Sequence, residues 1–236
     1  MKQVYGTLIN RIRRTPSVES FRFILKEKVA FMPGQFLQVM FNPEHVHDTA
    51  MNKYLSISSS PYKEYIEITK RVSASGFSQR LTSLKIHEQV LFRLPFGSCA
   101  YKDEYNKIAF LIGGIGITPV ISIFDYIIDK RLSTDACLIY SNRTEEEIAF
   151  NKELNYWQSI NRRLRVLYTV TDCQPQDQSC RFGYINDDLV KQEVSDIAER
   201  MVFIFGPPAM VDAMKKVCAQ VGCKPENIKS ENFTGY

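Results

Sequence analysis

An apolar run that ends directly in glycines, IAFLIGGIGITP at residues 108–119, constrains the fold more than any other stretch. Its first half, residues 108–112, suits a strand that is buried on both faces of a parallel sheet. Three glycines follow: Gly113, Gly114 and Gly116. They permit positive φ and close approach of a ligand, and Thr118 is expected to cap a helix that begins near Val120 and favours a phosphate. A tight structural turn would have the same pattern, so the run alone does not establish a nucleotide site.

Length, charge and hydropathy exclude several classes of protein. The 236 residues have room for two domains of about 100–130 residues, each with its own core. A net charge of +4 is not typical of a nucleic-acid-binding protein. No apolar run approaches the roughly 20 residues of a membrane span, and the N-terminal residues lack the apolar core of a signal peptide. We therefore expect a cytoplasmic protein with no membrane span and no nucleic-acid partner.

The cysteines and histidines predict no metal site. The six cysteines form no CxxC pair and repeat no spacing typical of zinc or iron–sulfur ligands. Cys137 and Cys218 lie in apolar periodic stretches and are expected to be buried thiols. Cys173, Cys180 and Cys223 are placed in polar loops.

The hydrophobic period changes at about residue 100. Before it, short strands separated by turn signals are typical of an antiparallel barrel or sandwich. After it, strands alternate with helices, which indicates a doubly wound parallel sheet with ligands at the carboxyl ends of its strands. The predicted fold is an antiparallel β-barrel followed by a doubly wound parallel sheet with flanking helices. The predicted domains are residues 1–102 and 103–236.

Seven stretches in order resemble the ferredoxin–NADP reductase superfamily over nearly the full length. They are KYLSISSSP (53–61), GFSQRL (76–81), LPFGS (94–98), GGIGITP (113–119), YSNRTEEEIAF (140–150), FGPPAM (205–210) and ENFTGY (231–236). The resemblance implies a flavin-binding barrel and an NAD(P)-binding α/β domain. It also implies a reductase that transfers hydride from NADH or NADPH to FAD. Electrons would then pass to a separate acceptor, such as a ferredoxin, a flavodoxin, an oxygenase component or free flavin.

In the first stretch the family pattern is Arg-x-aromatic-Ser, and its positions fall on Lys53, Leu55 and Ser56. The resemblance implies that Lys53 meets the flavin phosphates, that Leu55 covers the ring, and that Ser56 bonds to flavin N5 and is catalytic. Lysine keeps the charge but loses the bidentate fork of arginine. Strand alternation sends Tyr54 to the opposite face unless a bulge shifts the register. A polar edge strand with serine-rich turns is the alternative.

The second stretch resembles the family's phosphate-binding helix start. It implies that Gly76, Phe77 and Ser78 offer donors to the flavin pyrophosphate, which favours FAD over FMN. Ile68 and Lys70, in the preceding strand, match positions that flank the ribityl chain and phosphate. An ordinary helix cap would explain the same serines.

The resemblance assigns a larger set of residues to the nicotinamide dinucleotide: Gly113, Gly114, Gly116, Thr118, Asn142, Arg143, Gly206, Pro207 and Met210. Arg143 suits the 2′-phosphate of NADPH, whereas the glutamates at 145–147 would repel it and favour NADH. The same glutamates also suit the start of a long helix. Family members commonly carry cysteine where this chain has Phe205.

The C-terminal stretch matches the family's Glu-x-aromatic pattern. The resemblance implies that Glu231 lies near the reacting atoms and relays protons. It implies that Phe233 shields the outer face of the flavin and that Tyr236 also contacts cofactor. A frayed tail with one anchoring aromatic is the alternative.

Two other functions remain open at this stage. The electron-transfer subunit of dihydroorotate dehydrogenase needs a clustered cysteine quartet, which Cys218 and Cys223 do not supply. A non-catalytic nucleotide-binding assembly or sensing subunit is favoured by the lost arginine, aromatic and cysteine.

Overall fold

The computed structural model describes residues 1–233 and contains two compact units. The first consists of Met1–Tyr101 together with Thr118–Asp129. The second consists of Lys102–Ile117 and the described residues from Lys130 onwards. The domain boundary at residue 102 stays a prediction.

Residues 1–101 of the first unit form six antiparallel strands and one helix. They are β1 (Lys2–Thr15), β2 (Val18–Leu25), β3 (Phe36–Met40), β4 (Asn52–Ser56), β5 (Ile66–Arg71), α1 (Gly76–Ser83) and β6 (Gln89–Phe96). The strand order is β4-β3-β6-β1-β2-β5, and a bridge between Ile57 and Ile68 connects the two outer strands. The sheet thus closes on itself, which confirms the predicted barrel. Its core contains Leu8, Phe21, Phe23, Leu37, Ile68, Phe77 and Phe92, all fully buried.

One buried carboxylate joins three strands of this barrel. Glu67, in β5, accepts hydrogen bonds from Arg14 at 2.8 Å and from Arg22 at 2.7 Å, and only 2% of Glu67 is exposed. A buried charge needs such partners to offset its desolvation. Arg14 therefore serves the fold as a buried partner of Glu67.

The second unit contains a six-stranded parallel sheet with helices along the chain. Its strands are β7 (Lys107–Gly113), β8 (Asp135–Asn142), β9 (Leu164–Val170), β10 (Cys180–Phe182), β11 (Met201–Gly206) and β12 (Ile228–Asn232). The order is β10-β9-β8-β7-β11-β12, so the glycine turn after β7 lies where the strand order reverses. Helix α2 (Ile117–Asp129) follows β7 in the chain, and its residues from Thr118 onwards belong to the first unit. The helices of the second unit are α3 (Asn151–Ile160), α4 (Asp187–Glu193) and α5 (Pro208–Gln220). The alternating pattern of strands and helices is confirmed.

Two helix starts differ from the sequence-based expectation. Gly114–Gly116 form a 3-10 turn, and α2 follows at once from Ile117. Thr118 therefore lies inside the first turn of α2 and is not its cap. Glu145–Glu147 form a separate 3-10 turn, so the next helix begins six residues later than predicted. No helix in residues 1–233 is long and apolar enough to cross a membrane.

A buried arginine fixes the amino ends of the parallel strands. The Arg200 side chain is 1% exposed and binds the carboxylates of Asp196 at 2.7 Å and Asp135 at 3.0 Å. It also donates to the carbonyl of Ile108 at 3.2 Å. These bonds from Arg200 hold the pKa of Asp196 down at about 2. The ion pair lies at the beginning of β7 and β8, at the edge of the sheet opposite the glycine turn.

Replacing Arg200 with methionine should destabilise the protein by about 3 kcal/mol, because Asp135 and Asp196 lose their closest, buried partner and keep the more exposed Arg165 and Lys107. The free energy of unfolding, measured by urea denaturation at neutral pH, checks this. Lys191→Met is the control, because its pair with Asp187 is exposed and should cost less than about 0.5 kcal/mol. Equal costs for the two variants would contradict a structural role for Arg200.

Candidate functional site

Strand β4 presents different residues on its two faces. Leu55 pairs with Leu37, and Lys53 pairs with Val39, in a regular register without a bulge. Leu55 packs against the barrel core. Tyr54 lies on the other face and makes edge contacts with the rings of Phe36 and Phe96, as alternation predicts. Leu55, and not the neighbouring tyrosine, therefore shares a face with Lys53.

Lys53 in β4 and Lys70 in β5 lie on the two outer strands that the Ile57–Ile68 bridge connects. Burial lowers the pKa of Lys70, and the charge of nearby Lys53 lowers it further. The Lys70 amine donates to the carbonyl of Arg71 at 3.1 Å. Among residues 1–233, no carboxylate forms an ion pair with either lysine. Like charges repel each other, so an anion bound beside both lysines would stabilise both.

Helix α1 follows β5 in the chain, and several polar groups of its first turn already have hydrogen-bond partners within the protein. The Ser75 hydroxyl caps it by accepting from the Ser78 N–H at 3.3 Å, which is the ordinary cap of the alternative interpretation. The Ser78 hydroxyl is buried and bonds to Ser73 and Ser75. Gly76 is exposed, and a Cβ built on it would have only the Met51 sulfur nearby, at 3.7 Å. The start of α1 thus leaves open space beside Gly76, and the free main-chain N–H groups of a helix start favour a phosphate.

Four of the predicted flavin residues have buried side chains, namely Ser56, Ile68, Phe77 and Ser78. Ile68 and Phe77 are fully buried in the barrel core, and Phe77 packs on Phe41 with ring centroids 5.2 Å apart. Only their main chains can therefore contact a ligand. Ser56 is 6% exposed and ends β4 opposite Phe36. Its contact with flavin N5 stays a prediction.

The three glycines after β7 have two different roles. A Cβ on Gly113 would lie 2.2 Å from the Met210 sulfur, and a Cβ on Gly116 would lie 2.4 Å from the Phe205 carbonyl oxygen. Gly114 has a φ of +52°, and no atom lies within 4 Å of a Cβ built there. Gly113 and Gly116 therefore let the turn pack against the end of β11. Gly114 supplies the open backbone that a dinucleotide needs.

The loop after β11 contains Gly206, Pro207 and Met210. Gly206 is buried, Pro207 is exposed, and the Met210 thioether packs over Gly113. Phe205 is fully buried and contacts the rings of Phe203 and Phe233. The position at which relatives commonly carry cysteine therefore serves here as part of the hydrophobic core.

Among the predicted site residues, Asn142 at the carboxyl end of β8 gives the strongest indication of a ligand site. It is 6% exposed, and within residues 1–233 neither its amide nitrogen nor its amide oxygen has a hydrogen-bond partner. An unsatisfied buried polar group costs about 1–3 kcal/mol. A ligand that both donates and accepts would remove that cost, as the hydroxyls of a ribose do. Arg143, next in the chain, is exposed.

Thr169 has a similar feature that sequence reasoning missed. Its hydroxyl is fully buried without a partner among the described residues, and it lies in register with Ser141 on β8. A threonine in a strand carries no sequence signal of its own, because threonine is common in strands for its shape.

Glu145 has a role that the sequence did not indicate. Its two carboxylate oxygens accept the main-chain N–H groups of Gln176 at 2.8 Å and Asp177 at 2.9 Å. The carbonyls of Asn142 and Arg143 accept from the same loop. Glu145 thus holds a fixed negative charge beside the carboxyl end of β8. The expected helix start at this glutamate was wrong.

The C-terminal strand reaches the same edge of the sheet. Glu231 pairs with Phe205, and the Phe233 N–H donates to the Gly206 carbonyl at 2.9 Å. The strand ends at Asn232, and Phe233 is held to β11 by this hydrogen bond. A tail anchored by one aromatic and a cofactor-contacting terminus both stay predictions. Tyr236 lies outside the described residues, together with Thr234 and Gly235.

These features fit FAD and a nicotinamide dinucleotide. The lysine pair with the start of α1 suits the pyrophosphate of FAD. Open Gly114 and unpartnered Asn142 suit the phosphates and ribose of a dinucleotide.

Comparison with known proteins agrees with this geometry. Residues 6–101 match the family model of the oxidoreductase FAD-binding domain, and residues 110–216 match that of the oxidoreductase NAD-binding domain. NADH-cytochrome b5 reductase 1 of Mortierella alpina is 25% identical over 95% of this chain and 76% of its own length. The glycine betaine monooxygenase reductase subunit of Chromohalobacter salexigens is 28% identical over 94% of this chain and 62% of its own length.

Solved structures show the same fold. The cytochrome b5 reductase domain of Ulva prolifera nitrate reductase has a TM-score of 0.85 at 20% identity, covering 98% of this chain and 97% of that one. A ferredoxin NADP+ reductase from Neisseria gonorrhoeae has a TM-score of 0.81 at 19% identity, with 98% and 99% covered. With both family models matched in order along the chain, this protein belongs to the ferredoxin–NADP reductase superfamily and is an FAD-dependent NAD(P)H oxidoreductase.

Proposed function

We propose that this chain transfers hydride from NADH to FAD and passes the electrons to a separate acceptor protein. The observation that carries the proposal is the pair of unneutralised lysines, Lys53 and Lys70, with the open start of α1 after them. That arrangement retains the charge needed for the FAD pyrophosphate although the family's arginine is absent. When bound, FAD accepts the hydride and releases electrons one or two at a time.

Each half contributes residues with a stated task. Lys53, Lys70 and the Gly76 N–H bind the phosphates of FAD, while Leu55 covers the ring by apolar contact. Ser56 orients the flavin through a hydrogen bond to N5. In the second half, Gly114 admits the pyrophosphate of NADH.

The choice of NADH over NADPH rests on charge at the end of β8. Asn142 binds the adenosine ribose, and Glu145 places a fixed carboxylate beside it. A carboxylate accepts from a ribose 2′-hydroxyl but repels a 2′-phosphate. Arg143 is the opposing influence, because it is exposed and able to meet that phosphate.

A protein acceptor is supported by the names of the relatives. One is a cytochrome b5 reductase and another is the reductase subunit of a monooxygenase. A haem protein therefore joins ferredoxin, flavodoxin, an oxygenase component and free flavin as an acceptor class. Rates of NADH-dependent reduction of cytochrome b5, a ferredoxin and free FMN distinguish these classes. The matched oxidoreductase domains disfavour the non-catalytic assembly subunit.

Purified protein should be yellow and should bleach when NADH is added under nitrogen.

Lys70→Met should weaken FAD binding about 10–100-fold, because a charged hydrogen bond to phosphate is lost. Flavin fluorescence titration of the apoprotein measures the Kd. Lys26→Met, at an exposed lysine of the same unit, is the matched control. A colourless protein that refuses added FAD would sink the proposed function.

Gly114→Ala should raise the KM for NADH about tenfold while FAD stays bound, because the new methyl group occupies the space in which the dinucleotide approaches. Steady-state kinetics with a saturating acceptor measures it. Gly222→Ala is the control for backbone strain, since Gly222 has a φ of +83° and its nearest neighbour lies at 4.0 Å. Equal KM values in the two variants would count against this turn as the dinucleotide site.

Glu145→Gln should raise the ratio of kcat/KM for NADPH to that for NADH about tenfold, because one negative charge near the ribose is removed. Both dinucleotides are assayed with the same acceptor. Glu146→Gln, an exposed neighbour, should leave the ratio unchanged. If Glu145→Gln lowers both activities equally, Glu145 holds the loop but does not select the dinucleotide.

A further inference from the structure

The end of α5 is closed by a Schellman motif that brings two cysteines together. The Cys223 N–H donates to the Cys218 carbonyl at 2.9 Å, and the Gly222 N–H donates to the Ala219 carbonyl at 3.2 Å. Gly222 takes the left-handed conformation that this motif requires, with a φ of +83°. The two hydrogen bonds fix the backbone positions of both cysteines.

In this motif the first and last residues usually make an apolar side-chain contact. Here both positions are cysteine, and both side chains belong to the same buried cluster of the second unit. Cys218 is fully buried and Cys223 is 8% exposed. The expectation that Cys223 lies in a polar loop was wrong, because the motif folds it back onto the helix. No CxxC spacing signals such a pair, since the residues are five apart.

We propose that Cys218 and Cys223 form a redox-active pair that a hydroperoxide converts to an intramolecular disulfide. Cys223 attacks one peroxide oxygen, the O–O bond breaks, and Cys223 becomes a sulfenic acid while water or an alcohol leaves. Cys218 then attacks the Cys223 sulfur, the S–S bond forms, and a second water leaves with the Cys218 proton. The two thiols lose two electrons in total, and the peroxide gains them.

The order of attack follows from burial and hydrogen bonding. Cys223 is the more exposed of the two thiols, so the oxidant reaches it first. The Cys223 thiol donates to the Ile197 carbonyl at 3.8 Å, and the neighbouring Cys218 thiol holds the pKa of Cys223 below its ordinary value. The same interaction, together with burial, raises the pKa of Cys218. Cys218 therefore serves as the resolving thiol, which a lone cysteine lacks.

Wild-type protein provides a test that needs no variant. The holoprotein is treated with hydrogen peroxide, unfolded, labelled with N-ethylmaleimide and digested with trypsin. The peptide 217–229 contains both cysteines and no other, because trypsin does not cleave between Lys224 and Pro225. Untreated protein should give this peptide with two labels. Treated protein should give it unlabelled and lighter by two hydrogens, and dithiothreitol should restore both labels.

Two alanine variants separate the pair from general thiol oxidation. Cys218→Ala should leave Cys223 as a sulfenic or more highly oxidised acid, with no S–S bond. Cys173→Ala, at a partly exposed cysteine outside the motif, should leave the disulfide yield in 217–229 unchanged. The proposal is overturned if the wild-type peptide keeps both labels while Cys99 and Cys173 are oxidised. It is also overturned if the peptide gains oxygen without forming a disulfide.

Discussion

The close approach of the β7 turn to the end of β11 is the contact on which the nucleotide-binding half depends. It requires glycine at Gly116, because a Cβ there would overlap the Phe205 carbonyl, whereas a Cβ at Gly113 would displace the flexible Met210 side chain. With the turn held by its packing, Gly114 projects its backbone into open space. One short stretch thus provides both the packing that holds the turn in place and the exposed backbone that a ligand can contact. Glycine occurs at each of the three positions for a different physical reason.

The charged side chains discussed above fall into two groups, those with a counter-ion in the protein and those without one in its described part. At the amino ends of the parallel strands, Arg200 is neutralised by two aspartates and stabilises the fold. In the barrel, Arg14 and Arg22 are neutralised by Glu67. Lys53 and Lys70 are different, because no carboxylate in the described part of the chain balances them. A charge pair left without a protein partner is what an anionic cofactor needs, whereas structural charges carry their own counter-ions.

The buried amide of Asn142 follows the same principle with neutral groups. Its two polar atoms are desolvated without compensation in the protein, so the cost is recovered only when a ligand binds. Glu145 is compensated by two main-chain donors and therefore keeps its position whether or not a ligand is present. Asn142 therefore gains its hydrogen-bond partners from the ligand, whereas Glu145 holds a negative charge in a fixed position near that ligand.

The sequence by itself determined the two-part fold, because period-two and alternating strand–helix patterns are local and strong. It also located the glycine turn, and it placed Tyr54 on the face opposite Lys53 through strand alternation. Tertiary structure alone decided which glycine stays open, since that depends on Met210 and Phe205, which lie about ninety residues away in the chain. It alone revealed the loop contact of Glu145, whose local pattern is that of an ordinary helix start. It alone paired Cys218 with Cys223, because a helix cap, and not a sequence spacing, brings their side chains together.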